Sequence, residues 1–255
     1  MSSTRPLDFS PAPGASPAVR RVLSHGLTET RLLVRNGEQL LLALIIPVAI
    51  LVAARFLESE LLGEQLPASV LALAVWSSAF TSVAIATGFE RRYGVLERLA
   101  ATPLGRSGLI TGKALAVMII VAAQLIILSV VAVVLGWRPE FTAPTAGLAI
   151  VAVLLAITAF VSLALILAGR LRAEATLAAA NVIYVVLLVA GGLVIPAARF
   201  PAAMEFVVRL LPTGALGEEL RQASAGVVDG WPLLVLVIWA GILTVLARKV
   251  FRWVG

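Results

Sequence analysis

Apolar residues in this chain fall in long blocks, separated by short breaks that carry charge, proline or glycine. Six blocks approach bilayer length: residues 40–57, 67–88, 109–135, 145–168, 177–195 and 231–247. A helix needs roughly 20 mostly apolar residues to cross the hydrocarbon layer. Backbone polar groups in lipid must be paired within the segment, so such blocks read as helices. The pattern predicts an all-α membrane protein with six transmembrane helices.

The segments between the blocks are patterned too. Residues 1–17 are rich in Ser, Pro, Ala and Gly and read as a disordered tail. Residues 18–255 then form a single six-span unit. Residues 18–35 have a helical period, with Val19, Val22, Leu23, Gly26, Leu27, Thr30 and Val34 on one face. Arg20, Arg21, Ser24, His25, Thr28, Arg31 and Arg35 lie largely elsewhere. This describes an interfacial helix with its basic side toward headgroups, or an amphipathic helix packed on protein. Asn36-Gly37 is expected to break it. His25, the only histidine, has no cluster of metal-ligating partners in sequence and is expected at the surface.

The break after the second block is the most informative. Glu90, Arg91, Arg92, Glu97 and Arg98 supply both signs of charge, and Phe89, Tyr93, Leu96 and Leu99 recur at helical spacing. Thr102-Pro103 has the chemistry of a helix start. A short amphipathic helix at the membrane surface follows. It can dock into a cleft of a soluble partner or anchor a solvated connector. After the fifth block, residues 196–230 carry Phe200, Met204, Phe206, Val207, Val208, Leu210 and Leu211, divided by Pro196, Pro201 and Pro212. An aqueous loop would not expose that much apolar surface. Two short helices, about 201–211 and 213–225, would bury it by turning back toward the membrane as a re-entrant hairpin.

Composition agrees with the pattern. The 255 residues are 60% hydrophobic and 13% charged, with mean hydropathy +1.03. A soluble domain is about a quarter charged. Basic residues orient the spans, because positive charge stays on the cytoplasmic side. Arg5, Arg20, Arg21, Arg31, Arg35, Arg91, Arg92, Arg98, Arg106, Lys113, Arg170, Arg172, Arg248, Lys249 and Arg252 fall on one side of a six-span arrangement. Only Arg55, Arg138, Arg199, Arg209 and Arg221 fall on the other. Both termini are therefore expected in the cytoplasm. The formal charge of +6 is explained by this asymmetry and by attraction to anionic membrane lipids. No basic stripe with interleaved aromatics suggests nucleic acid. Arg outnumbers Lys by 18 to 2, which fits a GC-rich bacterial genome.

The sequence shows no nucleophile–base pair or metal-ligand cluster, and cysteine is absent. No catalytic residue and no metal site are expected. An integral membrane enzyme acting on lipid would need a polar cluster at the interface, which the sequence lacks. Span interiors hold essentially no ionisable residues, which argues against proton or ion coupling and for an external energy source or a passive role. Residues 108–114, ending Gly112-Lys113-Ala114, fail as a phosphate-binding loop, which needs an earlier glycine and a hydroxyl after the lysine. Gly108 and Gly112 read instead as close-packing positions. Lys113 reads as a snorkelling charge. Polar residues within spans include Ser77, Ser78, Thr81, Ser82 and Thr87 in the second, Gln124 in the third, and Asn181 and Tyr184 in the fifth. Gln124 reads as an interhelical hydrogen-bonding group. The others either bond between helices or line a path.

Residues 90–113, with Glu-Arg-Arg-Tyr-Gly-Val-Leu-Glu-Arg-Leu-Ala-Ala-Thr-Pro and then Gly112-Lys113, resemble the cytoplasmic loop of type-2 ATP-binding-cassette (ABC) exporter permeases. Residues 211–221, Leu-Pro-Thr-Gly-Ala-Leu-Gly-Glu-Glu-Leu-Arg, resemble that family's outer segment without its usual aromatic. The resemblance implies a permease half that dimerises with an identical or related protomer. It also implies two separate ATPase subunits that carry ATP and Mg, with no cofactor on this chain. A cytoplasmic coupling helix over residues 90–99 would contact the ATPase through Glu90, Arg91, Arg92, Tyr93, Leu96, Glu97, Arg98 and Leu99. Spans two and five would line the path, with Ser77, Ser78, Thr81, Asn181 and Tyr184 the candidates. The implied activity is export of a small amphiphilic or hydrophobic compound, drug-like or lipid-like, across a bacterial inner membrane. A lipid-linked or polysaccharide substrate, and a non-transporting scaffold of the same fold, are the alternatives.

Overall fold

The computed structural model describes the backbone of residues 16–35, 37–56 and 65–251, and their side chains except at 37–42, 54–56 and 106. The tail expected over residues 1–17, but for its last two residues, lies outside this set, as does Asn36 of the expected break. Every described element is helical. In chain order these are α1 (Ala18–Arg35), α2 (Gly37–Phe56), α3 (Leu66–Trp76), a π-helical turn (Ser77–Ser82), α4 (Val83–Arg92), α5 (Val95–Ala100), α6 (Gly105–Val134) and α7 (Ala143–Ala168). There follow α8 (Ala173–Ala190), a 3₁₀ turn (Ala197–Arg199), α9 (Ala202–Leu210), α10 (Pro212–Ser224) and α11 (Trp231–Val250).

Five helices are long and apolar enough to cross a bilayer: Leu66–Arg92, Ser107–Val134, Ala143–Ala168, Ala173–Ala190 and Trp231–Val250. The expected first span coincides with α2, whose described apolar stretch is the shorter Ala43–Ala53. The protein is an all-α membrane protein.

Leu66–Arg92 is the central element. Its apolar window is 72% buried within the protomer, against 17% for α8. Around it stand α2, α6, α7, α8 and α10. The π turn sits at its middle, where Trp76 stacks on Phe80 at 4.3 Å and meets the edge of Phe160 at 4.8 Å. All three rings are fully buried. Close approach elsewhere rests on small residues. The buried face of α7 carries Ala149, Ala152, Ala156 and Ala159, and α11 lies along that helix. Small residues at such spacing let backbones approach where lipid gives no hydrophobic drive. The Ser162 and Thr244 hydroxyls bond across this contact at 3.2 Å.

Helix ends follow local chemistry. Thr142 caps α7, its hydroxyl accepting from the Thr145 amide in a reciprocal capping box. At α6 the expectation fails. Thr102 turns its hydroxyl back to the Leu99 carbonyl at 2.6 Å, and the helix starts only at Gly105. The fifth span also differs from residues 177–195. It begins at Ala173 and stops at Ala190, because Gly191-Gly192 leaves the helix to meet α10. Gly192 has φ +76°, and a Cβ there would stand 2.9 Å from the Gly214 Cα. Only glycine combines that conformation with that approach.

The two short helices expected after the fifth span are present as α9 and α10, bounded by Pro201 and Pro212. Their burial is unequal. α10 is enclosed by α3, α7 and α11. α9 leaves Met204, Phe206 and Val207 exposed on the protomer.

Candidate functional site

Two ends of the central span carry the polar chemistry. At its C-terminal end α4 runs unbroken to Arg92, so the helix expected over residues 90–99 is divided. Gly94 at φ +69° makes the turn, and α5 begins at Val95. This division sorts the candidate coupling residues. The Lys113 ammonium, from the start of α6, lies 2.9 Å from Glu90 and 3.2 Å from Glu29 of α1. Lys113 is buried, not snorkelling, because two carboxylates from two other helices surround it. Arg91 donates to the Ala168 carbonyl at 3.0 Å and to that of Leu171 at 3.4 Å, closing the C-terminus of α7. Cations suit that end of a helix dipole. Arg92 pairs with Glu174 at the start of α8.

Leu96 is fully buried and Leu99 half-buried, which anchors α5 to the bundle. Tyr93, Val95, Glu97 and Arg98 point outward, Tyr93 with 66% of its surface exposed. An apolar anchor on one side and a mixed aromatic and charged face on the other make a knuckle at the end of the central span.

α1 lies along the first turns of α6. A Cβ on Gly26 would stand 2.8 Å from Leu115, and one on Gly112 would collide with the His25 ring. Both glycines therefore serve close packing, as expected of Gly112. Gly108 does the same for Leu104, where a Cβ would lie 2.8 Å away. His25 is not a surface residue. It is half-buried against Gly112, 3.7 Å from Glu29. Burial pulls its pKa below the ordinary 6.5 and Lys113 adds to this, while Glu29 opposes it. Arg21 reaches the Pro103 carbonyl and ties α1 to the α5–α6 link. Among the described residues no group of three acidic, histidine or cysteine side chains could hold a metal ion.

In the middle of the span the path candidates have different surroundings. Ser78 donates to Gln124 of α6 at 2.8 Å, and Gln124 donates to the Ala43 carbonyl of α2 at 2.7 Å. One polar bridge thus joins three helices. Ser77 is half-buried, and the Thr81 hydroxyl is buried with no partner. Asn181 is exposed on the outer face of α8, beside Val182 and Val185, and Tyr184 is half-buried one turn on. α8 packs against α4 and against the π turn that carries Ser77, Ser78 and Thr81.

Near the N-terminal end of the central span Arg221 of α10 is fully buried. Its guanidinium donates to Ser69 of α3 at 3.1 Å, to the Leu193 and Gly192 carbonyls at 2.9 and 3.1 Å, and to Glu218 at 3.0 Å. Thr213 donates to the Gly191 carbonyl at 2.8 Å. The carbonyls freed where α8 ends are therefore taken by α10. Beside Arg221, Glu219 is buried and one of its oxygens has no partner. Burial, with Asp229 nearby, raises its pKa to about 7.

The family model for the ABC-2 type transporter matches residues 27–223. The chain belongs to this family. A search of curated proteins returns no match. This ABC-2 permease is thus a transporter membrane component and a multi-pass membrane protein, of a family that works with ABC ATPase partners. Its matched region runs from α1 to α10 and includes both polar ends of the central span.

Two groups at these ends escaped the sequence pattern. Glu29 stands three residues after Gly26 and pairs with Lys113 of α6, 84 positions along the chain. Arg221 was visible as the end of a motif, but Ser69 and the Gly192 and Leu193 carbonyls that it holds lie on segments far from it in the chain.

Proposed function

We propose that this ABC-2 permease is the membrane half of an ATP-driven exporter that moves a small amphiphilic or hydrophobic compound out of the cytoplasm. In this reading α2 is the first of six spans and both termini are cytoplasmic. α9 and α10 form the outer re-entrant hairpin, and the membrane is the bacterial inner membrane. Two protomers, identical or related, associate with two ATPase subunits that hold ATP and Mg.

The observation that carries the reading is the knuckle after α4. Tyr93, Glu97 and Arg98 face outward. Directly behind them Glu90, Arg91 and Arg92 are bonded to α6, α7 and α8. A push on the exposed face is therefore delivered to three spans at once. Of the eight coupling candidates, this assigns contact with the ATPase to Tyr93, Glu97 and Arg98. It assigns Glu90, Arg91, Arg92, Leu96 and Leu99 to holding the knuckle on the bundle. Ser77, Ser78, Thr81, Asn181 and Tyr184 remain the path candidates.

The test is co-reconstitution of the permease with its cognate ATPase in proteoliposomes, with a screen of compounds for stimulation of ATP hydrolysis. Stimulation by amphiphilic compounds, and their ATP-dependent movement, is the expected result. Stimulation by a lipid-linked saccharide alone would shift the substrate class. A complex that hydrolyses ATP but moves nothing would favour a scaffold.

A further inference from the structure

An apolar hollow of about 220 Å³ opens between α1, α2, the central span and α6. It lies inside one protomer, away from the α8 face that bears Asn181. Leu33 and Val34 of α1, Leu44 of α2, Val83 of α4, and Ile120 and Ile127 of α6 form its walls. Polar side chains also reach it, but their bonding capacity is largely spent. Ser78 and Gln124 bond each other and the Ala43 carbonyl. Ser82 turns back to the Ser77 carbonyl at 3.5 Å. A guest would find almost no donors or acceptors there, so an apolar guest is selected.

Size narrows the guest further. Pockets that enclose a drug-sized molecule are roughly 300–1,000 Å³. This hollow is smaller and holds part of a molecule, as a chain rather than a ring system. The environment supplies such chains, since α6 presents Ile119, Ile126 and Val130 outward from a membrane-crossing helix beside the opening. Charge narrows the headgroup. Val34, at the rim, lies one helical turn from Arg31 and next to Arg35, and both arginines are exposed. Arginine forks match phosphate oxygens. We infer that the hollow between α1, α2, α4 and α6 seats one acyl chain of an anionic phospholipid, with its phosphate held at Arg31 and Arg35. The bound lipid would then be a structural ligand joining α1 to the bundle. This does not depend on the substrate or direction of transport.

The experiment uses the full chain in nanodiscs containing phosphatidylglycerol or phosphatidylcholine with a photoactivatable acyl chain, read by peptide mapping. Expected is labelling concentrated on the segments around Val34, Leu44 and Ile120, several-fold stronger with phosphatidylglycerol. Ala123, at the hollow's wall, is also exposed. Ala123→Phe should fill the space and remove that label. Arg31→Gln with Arg35→Gln changes only exposed side chains, so its folding is secure, and it should abolish the headgroup preference. Equal labelling by both lipids would overturn the proposal. So would label spread evenly over the outward faces of α6 and α8 and unchanged in the Ala123→Phe protein.

Discussion

The Lys113 ammonium stands 2.9 Å from the Glu90 carboxylate, joining the start of α6 to the end of the central span, and its second partner is Glu29 of α1. Removing one member of a buried ionic group costs about 3–5 kcal/mol, because the remaining charges lose their compensation. Lys113→Met should therefore unfold at clearly lower temperature, read by circular dichroism in detergent. Adding Glu29→Gln and Glu90→Gln should recover most of the loss. No recovery would mean that the lysine acts through packing rather than charge.

The exposed knuckle should behave oppositely. Glu97→Arg and Arg98→Glu alter solvent-facing side chains, which shifts stability by less than about 0.5 kcal/mol. In the reconstituted complex, substrate-stimulated ATP hydrolysis should fall about tenfold, equivalent to about 1.4 kcal/mol of interaction. Glu90→Lys should lose stability first and activity as a consequence. Comparing melting curves with hydrolysis rates separates the two classes.

Gly112 and His25 supply a steric test. A methyl at Gly112 collides with the His25 ring. Gly112→Ala should cost about 1–3 kcal/mol, the usual range for overpacking. Combining it with His25→Ala should restore stability. If Gly112→Ala melts like the parent protein, the ring is free to swing aside.

Glu219 gives a pH dependence. Its pKa rises from the ordinary 4.5 to about 7, through burial and then Asp229. Between these values the folded protein keeps a proton that the unfolded chain has released. Stability from this group is therefore greatest below 4.5 and declines as pH rises, with the loss complete above about 7. Glu219→Gln should flatten that slope and exceed the parent in stability at alkaline pH. His25 has the opposite sign. Its lowered pKa means that stability is full above 6.5 and falls as pH drops below it. Melting temperatures across the pH range, for each single variant, check both.

The helices were legible because apolar blocks and prolines mark them directly. Pro201 and Pro212 placed α9 and α10 to within a residue or two. The ionic group of Lys113, Glu29 and Glu90 was not legible. Lys113 finds Glu29 and Glu90 at 84 and 23 positions' distance, and no local rule pairs them. The π turn gave no signal either, since residues 77–82 hold neither proline nor glycine. It arises where stacked Trp76 and Phe80 pack against Phe160, a tertiary contact. The early stop of α8 follows from Gly191-Gly192, but the helix that demands it lies further along the chain. Over residues 90–99 the amphipathic pattern was visible, and the direction of each side chain was hidden until Gly94 fixed the turn.

The central span is held at both ends. Arg221 grips Ser69 near its N-terminal end, and Arg91 and Arg92 grip α7 and α8 at its C-terminal end. A rod supported in this way cannot tilt as a rigid body. Any load applied at the knuckle is then taken up as bending or torsion along a length whose middle is the π turn, where the Thr81 hydroxyl lacks a partner.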